Sequence, residues 1–365
     1  MIVADLDAAA AGTADAPPTP AGGADGPGRD DPAEPTPAEP NEPRRRRWLR
    51  ALTLVLALAL VLVTAGVGGA WYYLRSINSS VGRVDAFTGV PEAERPTREP
   101  AAGKAMNLLV LGSDSRDPDS TGGSRADTIM LVHVAADRSG AQIISIPRDT
   151  WVTLPDGRSA KINAAFAFGG APLMVRTVER FTGVRLDHVL LLDFAGFKEI
   201  IDALGGIEVQ VDVTFTSTHP PFRKFVKGSR QFDGEQALDY ARQRYQFKDG
   251  DFTRIRHQQQ VVLAALSRAA DSGLITDPIR LNAFLRAAAK SITVDKTMSL
   301  LDTATQLRDL RAGDLIFLTN PSKGTGRVGD QSVVFADPAA DKALYRAVNE
   351  DAVGEWLAEH PEAVR

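Results

Sequence analysis

The chain has 365 residues, of which 44% are hydrophobic, and it contains no cysteine. Disulfides, thiolate catalysis and Cys-type zinc sites are therefore excluded. The net charge of −4 is unevenly placed: the first 43 residues hold nine Asp/Glu and one Arg, so they carry −8 and the remainder +4. A mildly basic remainder suits an anionic ligand but is far too weak for nucleic acid, so no nucleic-acid partner is expected.

Residues 1–43 are mostly Ala, Pro, Gly and acid. With so few large apolar side chains they cannot offset their ordering entropy, and they read as a disordered acidic tail. Arg44–Arg47 and Arg50 come next, followed by an uncharged run from Ala51 to Leu74 that ends in Trp71, Tyr72 and Tyr73. About 20 apolar residues at 1.5 Å each span a bilayer. Residues 44–74 thus read as a basic flank and a transmembrane helix. The positive-inside rule puts the tail in the cytoplasm and everything after about residue 75 outside, in a single-pass membrane protein. The alternative is a cleaved signal peptide, for which Val67–Ala70 offers small residues, although the apolar run exceeds a usual signal core. Residues 75–104, with Gly89, Pro91, Pro96, Pro100 and scattered charges, read as a stalk.

Folding is expected from Met106 onward. The runs Asn107–Leu111, Thr128–Val134 and Ala141–Ile146 are short, apolar and β-rich, as core strands are. A helical turn over 163–168 precedes Gly169 and Gly170, and an amphipathic helix follows over Pro172–Phe181. Asp187–Asp193 is a strand, Phe194–Leu204 a helix closed by Gly205 and Gly206, and Ile207–Val213 another strand. A basic loop over 218–230 leads to helices at Gly234–Arg242 and Phe252–Ala270, the second with Asp251 as N-cap. Helices at about 278–290 and 298–309 precede a hairpin of Leu315–Leu318 with Ser332–Phe335 around a Gly-rich turn, Lys323–Arg327. A last helix is expected over Pro338–Glu359. Strands alternating with helices predict one mixed α/β domain over 105–360, a central sheet flanked by helices.

Charged residues interrupt these apolar segments at their ends, where open α/β sheets bind ligands. Asp114 follows one strand and Asp127 opens another. A carboxylate beside a buried strand is costly unless it caps, pairs or binds metal, and magnesium needs only one or two carboxylates plus phosphate oxygens. Both acids could instead simply cap turns in the Ser113–Gly123 loop. Arg242 and Arg244 share a face if that stretch is extended. Arg254 and Gln258 share a face of a helix near its positive N-terminus. Together they suit a phosphate clamp, with an ordinary solvated basic face as the alternative. Arg223 and Arg230 read as surface charges. Arg148 and Asp149 end a strand and could form a structural pair, and Lys161 precedes Ile162. Val189–Leu192 with Phe194 and Phe197 could line a lipid groove or pack the core, the commoner fate. His133 reads as a core histidine, and the five histidines suggest no catalytic triad.

The blocks "NLLVLGSDSR", "RADTIMLVHV", "SIPRDTWV", "KINAAFAFGG", "LDHVLLLDFAGFKEIIDALGGIEV" and "YARQRYQFKDGDFTRIRHQQ" closely resemble, in order, the LytR–CpsA–Psr family. The resemblance covers residues 105–265 motif by motif and extends loosely to about 350. It implies an extracytoplasmic enzyme that moves a glycopolymer from a polyprenyl-diphosphate carrier to a peptidoglycan sugar hydroxyl, with a lipid groove and Mg²⁺. On that resemblance Asp114 and Asp127 are metal-associated. Arg148, Arg242, Arg244, Arg254 and Gln258 bind the diphosphate, and Lys161 lies near the site. Phosphoryl transfer needs positioning and charge neutralisation, which arginines and Mg²⁺ supply, so Arg148 and Arg244 are expected to be catalytic with Asp149 as the candidate base. A diphosphate hydrolase and a membrane-bound transcription attenuator are the alternatives, and the acidic tail is a poor DNA-binding module. The Ala- and Pro-rich tail with the Arg cluster after it resembles high-GC actinobacterial proteins, which makes arabinogalactan or a teichoic-type polymer candidate cargoes.

Overall fold

A computed structural model describes residues 42–114, 125–271, 273–274 and 277–364. The acidic tail and most of the Ser113–Gly123 loop lie outside the described residues. The chain divides into two units, residues 1–65 and 66–365. Helix α1 (Glu42–Ser80) contains the apolar run, and Leu54–Leu56, Leu58 and Leu60–Val63 are exposed. Among the described residues no helix is long and apolar enough to cross a membrane.

After β1 (Gly82–Val84) come β2 (Met106–Ser113), β3 (Ala126–Val134), β4 (Ala141–Ser145), β5 (Trp151–Thr153) and β6 (Ser159–Lys161). Helix α2 (Ala164–Thr182), β7 (His188–Asp193), α3 (Phe194–Ala203) and β8 (Ile207–Val211) follow. Then come β9 (Phe215–Thr216), β10 (Lys224–Phe225), β11 (Gly228–Phe232), α4 (Gly234–Arg242), α5 (Asp251–Asp271) and α6 (Pro278–Ser291). The chain closes with β12 (Ile292–Asp295), α7 (Leu300–Leu307), β13 (Leu315–Thr319), β14 (Ser322–Val328), β15 (Gln331–Ala336), α8 (Pro338–Asn349) and α9 (Val353–Glu359).

The central sheet is mixed, in the order β1-β12-β7-β2-β3-β4-β13. Its strands read as nearly unbroken apolar runs because both faces are covered. Along β2, Leu109 and Leu111 join the cluster under α2 and α8, whereas Met106 and Leu108 join one with Ala289 and Met298 on the other face. A third cluster binds α3, α4 and α5 to β8 and β11 through Ile201, Val209, Tyr240 and Val261. The mixed α/β architecture with a helix-flanked central sheet is thus present.

Three expectations need correction. Residues 75–104 do not form a free stalk: β1 is an edge strand paired with β12, Val81, Val84 and Ala86 are buried, and Arg95 pairs with buried Glu179. The expected late hairpin does not form, because β13 joins the central sheet parallel to β4. The supposed Gly-rich turn is itself strand β14, paired with β15, and the chain reverses at Gly329 and Asp330. The last helix is two, interrupted near Asp351, whose φ is 55°. A smaller departure is the presence of strands inside the 218–230 loop, whereas the two expected helical segments are both present within α2, separated by a kink at Gly169 and Gly170.

Candidate active site

The site begins with a slip in strand register. Gly112 pairs with Thr128 but Ser113 pairs with Ala126, so Asp127 is the extra residue of a bulge. Bulges re-aim side chains at sheet rims, and this one turns the Asp127 carboxylate onto the Arg148 guanidinium. Gly112 is required there: a Cβ would sit 2.9 Å from the Thr128 side chain. On its other side β2 runs parallel to β7, with Ser113 beside Asp193. Asp193 caps α3 by accepting the Gly196 N–H at 2.7 Å. Asp114, one residue past β2, is exposed at this same strand end.

The arginines arrive from α4, α5 and the link between them. Buried Gln243 leaves the helical conformation at φ −71° and ψ 133°, which turns Arg242 and Arg244 outward on either side of it. Its amide nitrogen lies 2.6 Å from Asp239 Oδ1 and 2.9 Å from Ser217 Oγ, and its oxygen accepts the Thr218 N–H at 3.0 Å. Helix α5 is fastened to the sheet by buried Gln259, which donates to Ser145 Oγ and the Leu318 carbonyl, both at 3.1 Å. That anchor sets Arg254 and Gln258, one turn apart, toward the strand ends.

Arg148 and Asp149 do not pair with each other. Arg148 takes Asp127, while Asp149 meets Lys161 at 2.9 Å and Arg244 at 3.4 Å. Asp251 is not the expected N-cap. It is the first residue of α5, it forms an ion pair with Arg254 and it lies 3.9 Å from Arg244. Neither Asp251 oxygen nor Arg254 Nε has a hydrogen-bond partner, and buried Arg148 Nε also lacks one. Burial pushes the Asp251 carboxyl upward against the pull of Arg254, and it pulls the Arg254 guanidinium down. Burial acts to lower Arg244 as well, but its hydrogen bond to Tyr245 and the neighbouring Asp149 and Asp251 hold it above its ordinary value. Tyr245, 2.6 Å from Arg244 Nη2, is correspondingly lowered.

These groups surround a cavity of about 280 Å³. Its walls include Val110, Met130, Leu192, Phe197, Val261 and Val262, and its charged end holds Asp127, Arg148, Arg242, Arg244, Arg254 and Gln258. Arg242 stacks over Phe194 at 4.9 Å. Val189 and Leu191 pack the core while Leu192, Phe194 and Phe197 line the cavity, so both readings of that segment hold in part. Lys161 and Asp149 reach the cavity through the ion pairs of Asp149. Asp114 stands at the rim beside Ser113 and is not in the cavity wall. His133 is a core histidine, bonded to Asn107 and Asp351. Gln243, Tyr245, Asp193 and Asp251 complete the site beyond the sequence expectations. The available signal was their adjacency to the expected arginines and to Phe194.

Fold and cavity together set an apolar pocket beside a cluster of arginines at the ends of the central strands. The chain belongs to the LytR_cpsA_psr family, whose model matches residues 77–347. It is 31% identical over 230 residues to the polyisoprenyl-teichoic acid–peptidoglycan teichoic acid transferase TagU of Bacillus cereus, covering 62% of this chain and 74% of that one. It is 28% identical to the cell wall biosynthesis protein LcpA of Corynebacterium glutamicum, covering 81% and 64%. Among solved structures, TagV of B. subtilis matches at 26% identity and a TM-score of 0.59, over 68% of this chain and 97% of that one. A LytR-Csp2A-Psr enzyme from Actinomyces oris matches at 25% and 0.58, over 74% and 96%.

Proposed function

We propose that this chain is a glycopolymer–peptidoglycan phosphotransferase. It moves a glycan from a polyprenyl-diphosphate carrier to a peptidoglycan sugar hydroxyl and releases polyprenyl phosphate. The activity named for the TagU relative supports this. The observation that carries it is the cavity: apolar side chains line it together with four arginines, two of which, Arg148 and Arg254, have buried Nε atoms without hydrogen-bond partners. An apolar tail with a diphosphate head supplies what both parts lack.

The chemistry is a phosphoryl transfer, in which positioning and neutralisation do most of the work. In this reading Arg148, Arg242, Arg244, Arg254, Gln258 and Lys161 hold the diphosphate, with Arg148 and Arg244 nearest the reacting phosphorus. The acceptor oxygen forms a bond to the sugar-side phosphorus while the bond to the bridging oxygen breaks, and polyprenyl phosphate departs. The hydroxyl proton passes to Asp149, whose carboxylate is held by Lys161 and Arg244. A carboxylate so held is oriented as a base.

Magnesium fits the residues present. The charged end already pairs its cations with Asp127, Asp149 and Asp251, so a diphosphate arriving alone would compete with those carboxylates. Among the described residues no three His, Cys, Asp or Glu form a metal cluster, and Mg²⁺ commonly uses one or two carboxylates with phosphate oxygens. Asp127 and Asp114 would hold it, and bound there it would neutralise charge on the diphosphate.

The protein is proposed to be a single-pass membrane protein. The Arg44–Arg50 cluster, the apolar run and the aromatic residues 71–73 support a cytoplasmic N-terminus and an extracytoplasmic domain, where its acceptor lies. The test is turnover of a short-chain polyprenyl-diphosphate glycan. Release of polyprenyl phosphate that rises with added peptidoglycan, with glycan retained on the sacculi, is expected. Equal release without peptidoglycan would identify a hydrolase.

A further inference from the structure

A second cleft, of about 330 Å³, has in its wall Lys161, the ion-pair partner of Asp149. Arg125, Arg158, Lys161, Asn163, Phe168 and Gln331 line it. It meets the first site at two places. Lys161 is in its wall and pairs with Asp149, whose other oxygen faces Arg244 in the cavity. Arg125 is in its wall too, two residues before Asp127 in the cavity.

Its shape depends on features no other part of the site needs. Helix α2 is broken at Gly169 and Gly170, where Gly170 takes φ 60° and ψ −153°, a conformation only glycine adopts readily. The break ends the first helical turn at Phe168 and leaves that large apolar residue 52% exposed. The Arg158 guanidinium lies 4.8 Å from the ring centroid, and Asp156 holds the Arg158 Nε at 2.7 Å. A ring steadied by a cation and half open to solvent is a binding platform, since core packing does not account for it. Asn163, the N-cap residue of α2, lines the cleft and makes no side-chain capping bond. Gln331 is carried in by the β14–β15 hairpin, which leans on the site through the Val334 N–H donating to the Asp149 carbonyl at 2.9 Å. The same hairpin thus fixes Asp149 and one wall of the cleft.

We infer that this cleft is the acceptor subsite, which binds the amino-sugar chain of peptidoglycan and presents one of its hydroxyls to Asp149. The inference rests on the transferase reading above and adds where the acceptor sits. Pyranose C–H groups, weakly positive, stack on the negative face of an aromatic ring. Guanidinium and amide N–H groups donate to the sugar hydroxyl and acetamido oxygens, and Asn163 and Gln331 carbonyls accept from hydroxyls. In the step assigned to this site, the hydroxyl O–H breaks, its proton goes to Asp149, and its oxygen bonds to phosphorus as polyprenyl phosphate leaves.

The experiment uses the full chain in detergent, with an N-acetylglucosamine–N-acetylmuramic acid tetrasaccharide as probe. Saturation-transfer NMR measures binding, and transfer kinetics give KM for acceptor and donor separately. Phe168→Ala is expected to weaken tetrasaccharide binding and raise acceptor KM about tenfold while donor KM moves less than twofold, and Phe168→Trp restores both. Arg158→Ala and Gln331→Ala follow in the same direction. Phe168 is half exposed, so its truncation leaves the core intact and thermal midpoints serve as the check. Unchanged binding in all three variants, or donor KM rising as much as acceptor KM, would overturn the assignment. Should the wild type fail to transfer glycan, the transferase reading falls, while loss of sugar binding in Phe168→Ala still reports on the cleft.

Discussion

Two buried arginine–carboxylate pairs in this molecule have the same components and opposite finish. Arg95 meets Glu179, a residue only 2% exposed, through Nη2 at 2.7 Å and Nε at 3.1 Å. The Glu179 carboxylate also accepts the Leu186 N–H at 2.9 Å, and Arg95 donates to the Leu186 carbonyl at 2.6 Å. That pair is saturated. Arg254, 4% exposed, meets Asp251 as an ion pair with no aligned hydrogen bond, and neither its Nε nor either carboxylate oxygen makes one elsewhere. A buried unmade hydrogen bond costs about 1–3 kcal/mol, and the Nε atoms of Arg148 and Arg254, both lining the cavity, are two such groups, which supports the proposal that they receive a ligand. The saturated pair stabilises; the open pair is the one proposed to bind.

The comparison breaks most visibly in stability. Arg95→Ala strands the Glu179 charge in the core and is expected to cost about 3–5 kcal/mol, read by denaturant unfolding. Arg254→Lys, at a residue just as buried, should cost far less stability. Equal losses would mean that both pairs are structural.

A buried acid outside the site sharpens the contrast. Burial raises the Asp341 carboxyl to about 7, against the hydrogen bond from Asn320 and with Asp337 adding to the rise. Because the folded-state value lies above the ordinary 3.8, the folded form holds that proton more tightly. The stability it contributes is complete below about pH 4 and is lost as pH rises through 7. Asp341→Asn should therefore gain on the wild type by up to about 4 kcal/mol at pH 8 and little at pH 4. Thermal midpoints at the two pH values check this; a gain independent of pH would reject the protonated acid.

At the clamp, Arg148→Lys, Arg244→Lys and Arg254→Lys keep the charge and lose the fork. Each should lower turnover by about 10- to 150-fold, the worth of one charge-assisted contact at roughly 1.5–3 kcal/mol. Asp127→Asn is expected to remove the magnesium dependence of donor binding, measured by titration calorimetry with and without Mg²⁺. Retained dependence would return the bulge to a purely structural role. The smallest effects belong to Arg223→Ala and Arg230→Ala, on the outer surface, where stability and turnover should move by no more than about 0.5 kcal/mol. Losses there equal to those at the clamp would make the basic region a diffuse field.

Much of the site was legible because its groups sit at strand and helix ends, where a charge next to an apolar run stands out. Asp127, Arg242, Arg244, Arg254 and Gln258 could be named that way, Arg148 only through the family resemblance, and all six line one cavity. What the sequence hid was pairing. Arg148 bonds 21 residues back and Arg244 bonds 95 residues back, so the adjacency of Arg148 and Asp149 suggested a pair that does not exist. Asp251 looked like a cap because a cap and an ion-pair partner share the same residue type at the same helix end. The hairpin was misjudged because Gly324 and Gly326 imitate a turn, yet at Gly326 the glycine makes room for the Phe335 ring, which a Cβ would meet at 2.5 Å. Residues 75–104 looked like a stalk because three prolines and scattered charges outweigh the few buried residues, Val81, Val84, Ala86 and Ala102, that tie them to the domain.

The most direct test of the open-pair account is ligand stabilisation measured on wild type and on Arg148→Lys/Arg254→Lys. A ligand that binds only the folded state raises the unfolding free energy by about 2.7 kcal/mol at one hundred times its Kd. A short-chain polyprenyl diphosphate with Mg²⁺ should raise the thermal midpoint of the wild type by several degrees and leave the double variant nearly unmoved. An equal rise in both proteins would mean that the diphosphate does not use these arginines, and the account of the cavity would be wrong.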